Sequence, residues 1–396
     1  MQSTTLPSSR IESIDLLRGV VIVIMALDHV RDYFHADAFL YDPTDLTQSS
    51  MALFFTRWIT HFCAPVFVFL AGTSAYQIGI KKGIPALSSF LLKRGLWLIF
   101  LELTVINFAW FFNITFSFIA LTVIWALGVG MIALAGLVYL RFKWILGFAV
   151  ALIIFHNAFD GIHFPGNGLS TFAWSVLRDQ NLFSWGEGRN LFVGYALVPW
   201  VGVMALGYCF GSFYTPSIAP EKRRKILIRL GVIGILLFIA LRWSNVYGDP
   251  VPWSVQPSSV YTFLSFLNTN KYPPSLLYLL MTLAPSMLFL AFTERVTAKV
   301  ADALIVIGRV PLFFYIVHIY VVHLFALIAA VLTGHPASHM VFDGWITNSV
   351  ELTGYGFSLS VVYFVWLLVI VVLYPLCKRY EQYKRNNKDK MWLSYL

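Results

Sequence analysis

Arg18-Gly-Val-Val-Ile-Val-Ile-Met-Ala-Leu-Asp-His29 puts a guanidinium and an imidazole on one otherwise apolar helix. A step of eleven residues, at about 100° each, returns to the same helix face roughly 16 Å further along the axis. A fixed positive charge therefore stands near one membrane surface and a titratable ring near the other. Ionisable groups inside a membrane helix are costly and mark sites or pathways. The stretch thus predicts an anion held at one end and chemistry at the other. Asp15, three residues before Arg18, can pair with it and lower the cost of both. At the far end Asp28 and Asp32 flank His29. A carboxylate beside an imidazole orients the ring, fixes its tautomer and raises its pKa. That equips His29 as a general base or a nucleophile. The alternative is a buried histidine bonded to a neighbouring helix.

Composition sets the class around this helix. The 396-residue chain is 59% hydrophobic and only 12% charged, with mean hydropathy +0.74, outside the range of a soluble globular domain. The expected fold is all-α: a polytopic transmembrane helix bundle, read as one domain over 1–396. Apolar runs suggest about ten spans, at 14–34, 51–79, 89–112, 115–140, 143–159, 190–213, 225–243, 273–293, 303–333 and 357–377. The run 303–333 is long for one span and invites a tilt, or a kink at Pro311. Alternate connections carry the Lys and Arg: Lys81, Lys82, Lys93 and Arg94; Arg141 and Lys143; Lys222 to Lys225; Arg295 and Lys299; and the tail 378–396. The positive-inside rule then places both termini and the basic tail in the cytoplasm. The net charge of +9 is thus a topology signal and argues against a nucleic-acid partner. No cleavable signal peptide is expected, because the first apolar run continues into Asp28-His29-Val30-Arg31 without a small-residue cleavage site. Cys63, Cys209 and Cys377 lack metal or disulfide spacing and read as packing residues.

Further polar residues converge on the same two ends. Arg57 and His61 are four residues apart and share a face, and His61 should reach a depth similar to His29. Pro65 lacks an N–H and should free a carbonyl one turn earlier. His35, just past the first span, either folds back over the same cavity or stays in a solvated loop. Arg94 and Arg309, with Arg18, form a set of guanidiniums suited to a phosphate-bearing, nucleotide-like anion. His318 follows Arg309 by eleven residues, with Tyr315 on its face, and either lines the same path or bonds a neighbouring helix. No metal is expected: the histidines show no HExxH-like spacing. No phosphate-cradling glycine loop supports ATP-driven transport. The segments 160–189, 244–272 and 334–356 are rich in Trp, Gly, Pro and Asn, suiting either an acceptor vestibule or an interfacial aromatic belt.

Ser13-Ile-Asp-Leu-Leu-Arg-Gly19 followed by His29 resembles the opening helix of the membrane-bound acyltransferase type 3 superfamily. Pro65-Val-Phe-Val-Phe-Leu-Ala-Gly-Thr-Ser74 resembles the second-helix motif of the related heparan-alpha-glucosaminide N-acetyltransferase family. Gly308-Arg-Val-Pro-Leu-Phe-Phe-Tyr-Ile-Val-His318 is similar to their late helix ending in Tyr-x-x-His. The resemblance implies a multi-pass membrane acyltransferase that moves an acetyl or other acyl group from cytosolic acetyl-CoA to an acceptor at the opposite face. The acceptor it implies is a carbohydrate or amine. It makes Arg18 a donor-side or structural cation and His29 the favoured catalytic base; the residue pattern adds Arg94, Arg309 and His318 on the donor side and Asp28 as the carboxylate that orients His29. In the heparan-type family the first-helix histidine position is Asn and the catalytic His comes later; that pattern points to His35, with His61 at the Asp position before the Pro. The expected setting is the bilayer of a bacterial cytoplasmic membrane, with homo-oligomerisation left open. The alternative from another class is a secondary transporter or proton-coupled anion channel using the same charges.

Overall fold

The computed structural model describes residues 11–294, 296, 298–390 and 393. Arg295, counted above among the basic loops, and the last residues of the tail other than Leu393 lie outside the described residues. In chain order the helices are α1 (Glu12–Phe34), α2 (Met51–Thr60), α3 (Cys63–Lys82), α4 (Ile84–Leu101), α5 (Asn107–Phe111), α6 (Val123–Leu137) and α7 (Phe142–Phe155). They continue as α8 (Leu169–Leu177), α9 (Leu197–Phe210), α10 (Pro220–Ser244), α11 (Ser259–Leu267), α12 (Leu276–Thr293), α13 (Lys299–Gly308), α14 (Pro311–Leu332) and α15 (Leu359–Asn386). A π-helical segment, Glu102–Ile106, joins α4 to α5.

Seven helical stretches among the described residues are long and apolar enough to cross a membrane: Met51–Lys82, Phe142–Phe159, Leu197–Tyr214, Pro220–Ser244, Leu276–Thr293, Pro311–Leu332 and Leu359–Asn386. The remaining expected spans, 14–34, 89–112 and 115–140, fall on α1, on α4 to α5 and on α6, which is apolar but shorter. Helix α1 carries Glu12, Asp15, Arg18, Asp28, Arg31 and Asp32 and is nevertheless enclosed by α2, α3, α12, α13, α14 and α15.

Two of the expected spans are broken where proline interrupts the helical hydrogen bonds. The run 51–79 splits at His61–Phe62, and the carbonyl of His61, four residues before Pro65, accepts a 2.7 Å bond from the Tyr278 hydroxyl. The run 303–333 is two helices, α13 and α14, parted at Arg309–Val310 ahead of Pro311. The all-α expectation needs one correction. Strands β1 (Phe118–Leu121), β2 (Asn181–Ser184) and β3 (Asn190–Val193) form a small sheet in the order β1-β3-β2. Phe118 pairs with Asn190 in parallel register, and Asn181 with Val193 antiparallel. These four-residue strands sit inside or beside apolar runs, so hydropathy merged β1 and β3 with the helices α6 and α9 that follow.

Glycine sets the two closest helix crossings. A Cβ on Gly308 would lie 1.9 Å from the Asp15 carbonyl oxygen, and one on Gly19 1.9 Å from that of Leu304. The backbones of α1 and α13 therefore touch, which brings Arg18 and Arg309 together. Gly72 and Gly207 play the same part between α3 and α9, each with a Cβ position 2.0 Å from a carbonyl oxygen of the facing helix. Membrane helices use small residues in this way because backbone contact replaces a hydrophobic driving force.

Candidate active site

Two cavities lie along α1. The arginine-end cavity, of about 290 Å³, has a mostly apolar wall that includes Ile22, Ile78, Leu98 and Leu127, with Arg18, Arg94, Arg309 and Lys384 also lining it. The loop-side cavity, of about 630 Å³, is polar and holds Asp28, His29, Arg31, Asp32, His35, Arg57, Lys271 and Tyr272 in its wall, with Trp110, Tyr195 and Trp345. Met25, Phe67, Val123 and Tyr315 line both, so the two cavities are neighbours that share these four wall residues.

At the arginine end, Arg18 reaches Asp15 (3.0 Å), the Ser74 hydroxyl (3.1 Å) and the Gly308 carbonyl (3.4 Å). Arg309 stands 3.6 Å from the same Asp15 and 3.6 Å from Glu381 of α15. Asp15 thus ties both guanidiniums to one carboxylate and sets their spacing.

At the other end His29 Nδ1 lies 2.7 Å from His318 Nε2, with the two rings end to end and nearly coplanar, 17° between planes and 4.9 Å between centroids. His318 Nδ1 is 3.0 Å from the Phe314 carbonyl oxygen, which can only accept. A neutral His318 therefore carries its proton on Nδ1 and offers Nε2 as an acceptor. His29 must then donate from Nδ1, and its own Nε2 keeps a lone pair. This tautomer follows from the hydrogen-bond network. Trp110 packs edge-on against His29 with centroids 4.7 Å apart, and Tyr315 likewise at 6.2 Å.

Asp28 is occupied elsewhere. It is 2.5 Å from Arg57, 2.7 Å from Arg31 and 3.9 Å from Lys271, while Arg31 also holds Asp32 at 2.5 Å. Adjacent residues on a helix point about 100° apart, so Asp28 serves this cation cluster, and the group that orients the His29 ring is His318. His318, expected on the donor side, is wholly buried and belongs to neither cavity wall. His61 does not join His29. Its ring packs against Tyr278, 5.4 Å between centroids, its neighbours Thr60, Cys63 and Ala64 line the loop-side cavity instead, and its Nδ1 is buried without a hydrogen-bond partner among the described residues.

His35 folds back as expected and lines the loop-side cavity. Its Nδ1 accepts from the Asp37 backbone N–H at 3.2 Å, and burial lowers the pKa of the ring. Tyr272 was missed by sequence reasoning. Burial would raise its pKa, but Lys271 and Arg57 outweigh that and pull the phenol below its ordinary value. Lys271 and Tyr272 sit between α11 and α12 with no motif to flag them. Among the described residues no group of three or more His, Cys, Asp or Glu is placed to hold a metal ion.

Two adjacent cavities thus lie along α1, one with guanidiniums at its end and one with an oriented imidazole in its wall. The catalytic-domain model of heparan-alpha-glucosaminide N-acetyltransferase matches residues 10–244. The chain belongs to that family. No curated protein sequence matches it. The matched region carries Arg18, Asp28, His29, His35, Arg57, His61 and Arg94. Lys271, Arg309, Tyr315 and His318 lie beyond it, so the matched region supplies most, but not all, of the lining of each cavity.

Proposed function

We propose that this protein transfers an acetyl group from cytosolic acetyl-CoA to an amine or hydroxyl of a carbohydrate-like acceptor on the opposite side of the membrane. The observation that carries the reading is the adjacency of the two cavities, with His29 in the wall of one. Arg18, Arg94, Arg309 and Lys384 would receive the phosphates of CoA, for which guanidinium forks are suited. The apolar wall of this cavity suits the pantetheine arm, with the thioester toward the shared residues Met25, Phe67, Val123 and Tyr315. The positive-inside pattern of the loops supports a cytosolic position for this end.

The acceptor enters the loop-side cavity, where Trp110, Tyr195 and Trp345 offer ring faces and the carboxylates and cations offer polar contacts. His29 Nε2 takes a proton from the acceptor nitrogen or oxygen as that atom attacks the thioester carbonyl carbon. The C–S bond breaks, and the proton passes from His29 to the departing thiolate, leaving free CoA thiol. His318 holds the ring in the tautomer this requires. The arrangement fits direct transfer, since both substrates reach one imidazole from opposite sides. A bacterial cytoplasmic membrane is the setting we assign.

The test is acetyl-CoA binding by calorimetry on detergent-purified protein, wild type beside Arg18→Ala. Micromolar binding that the substitution weakens at least tenfold is expected. Folded protein that binds no acetyl-CoA at millimolar concentration would overturn the reading and favour the transporter alternative.

A further inference from the structure

The four residues shared by the two cavities mark where a thioester from one side meets an acceptor from the other. Met25, Phe67 and Val123 are apolar there, and Tyr315 brings the single hydroxyl. Acyl transfer passes through a tetrahedral intermediate whose oxygen gains a full negative charge, and among apolar side chains that charge needs a donor. The Tyr315 hydroxyl is the donor at that place.

A second observation stands behind it. Tyr315 shares the wall of the loop-side cavity with Trp110 and Thr122, and both side chains lie within electrostatic reach of its hydroxyl. Thr122 is pinned in turn by Glu102, whose Oε1 accepts from the Thr122 backbone N–H (2.6 Å) and hydroxyl (2.5 Å). Glu102 is 1% exposed, has no cation among its hydrogen-bond or ion-pair partners, and its Oε2 has no hydrogen-bond partner among the described residues. It opens the π-helical segment between α4 and α5. Such a segment is rare and costly, is found disproportionately at functional sites, and shifts the register of the residues that follow it. Here Glu102 meets Thr122 at the start of α6, which lines the loop-side cavity next to the shared residue Val123. A buried carboxyl with an orphaned oxygen is expensive to keep for packing alone.

We infer that Tyr315 donates the hydrogen bond that stabilises the oxyanion of the transferring acetyl group, and that Glu102, through Thr122, positions it. The inference rests on the acetyltransferase reading. When the acceptor atom adds to the thioester carbon, the carbonyl π-electrons move onto oxygen and the Tyr315 O–H bonds to it. Collapse returns them, expels the thiolate and restores the resting hydroxyl. No proton leaves Tyr315, so the balance of the reaction through His29 is unchanged.

The experiment measures acetyl transfer from radiolabelled acetyl-CoA to D-glucosamine as probe acceptor, with acetyl-CoA affinity determined in parallel. Tyr315→Phe removes one oxygen and is expected to lower kcat about 100-fold, as losing one oxyanion donor does, while donor affinity stays within about twofold. Glu102→Leu should lower kcat roughly tenfold, and Glu102→Gln, which keeps the acceptor oxygen for Thr122, should recover most of it. A purely structural Glu102 would change donor affinity and kcat together. Wild-type kcat in Tyr315→Phe overturns the inference. Should that variant not fold, Thr122→Val reads the same network: reduced kcat with unchanged donor affinity supports it, and wild-type kcat overturns it. Folded wild-type protein without acetyl-CoA binding or turnover would instead remove the acetyltransferase reading beneath it.

Discussion

Replacing His318 by Phe tests how the imidazole of His29 is prepared for proton transfer. The side chain is fully buried, and its Nε2 is the hydrogen-bond partner of His29 Nδ1, at 2.7 Å. Phe keeps a planar ring of similar size, yet leaves the His29 Nδ1–H without an acceptor. Stranding a buried donor costs about 1–3 kcal/mol. His29 escapes that cost by moving its proton to Nε2, the tautomer that cannot act as a base, or by turning away. Either escape means the reactive tautomer must be regained at that cost, a factor of roughly 5 to 150 in kcat. Binding of acetyl-CoA should stay within about twofold, because His318 lines neither cavity. His318→Gln offers an amide oxygen to the same Nδ1–H and should recover part of the loss. The assay is kcat for acetyl transfer with saturating donor, alongside calorimetric donor affinity. A His318→Phe protein with wild-type kcat, or one that loses donor binding in proportion to turnover, would refute the reasoning.

Two further substitutions separate architecture from chemistry. Gly308→Ala places a methyl where only 1.9 Å separates it from the Asp15 carbonyl oxygen; overpacking of that kind costs about 1–3 kcal/mol, so thermal stability in detergent and acetyl-CoA affinity should fall together as α13 moves Arg309 off Asp15. Asp28→Asn strips the carboxylate shared by Arg31, Arg57 and Lys271. Breaking a buried ion pair costs about 3–5 kcal/mol, so the melting temperature should drop sharply while kcat of the folded fraction changes little; lost kcat at an unchanged melting temperature would mean that Asp28 serves His29 after all.

The sequence was most legible where one helix carried the whole signal. Arg18 and His29 lie on α1, and helical geometry alone put them at the walls of two cavities along one axis. Pro65 and Pro311 marked the two breaks, because a missing N–H acts locally. The partners of each group were not legible. His318 stands 289 residues from His29, and only the packing of α14 against α1 decides that they meet. His61 was assigned to His29 by depth alone; depth does not fix which neighbour a ring faces, and His61 packs against Tyr278 of α12. The small sheet escaped notice because parallel pairing of β1 with β3 joins residues about 70 apart, and hydropathy has no term for it. The π-helical segment at Glu102 has no sequence signature of its own.

The account's central claim is that His29 is the base in a transfer between the two cavities. Its most direct measurement is kcat for acetyl transfer by His29→Ala, His35→Ala and His61→Ala, each with its acetyl-CoA affinity. The expected result is a loss of at least 100-fold in His29→Ala alone, of the size general-base catalysis supplies, with donor affinity retained in all three. Full transfer by His29→Ala, or a comparable loss confined to His35→Ala, would contradict it.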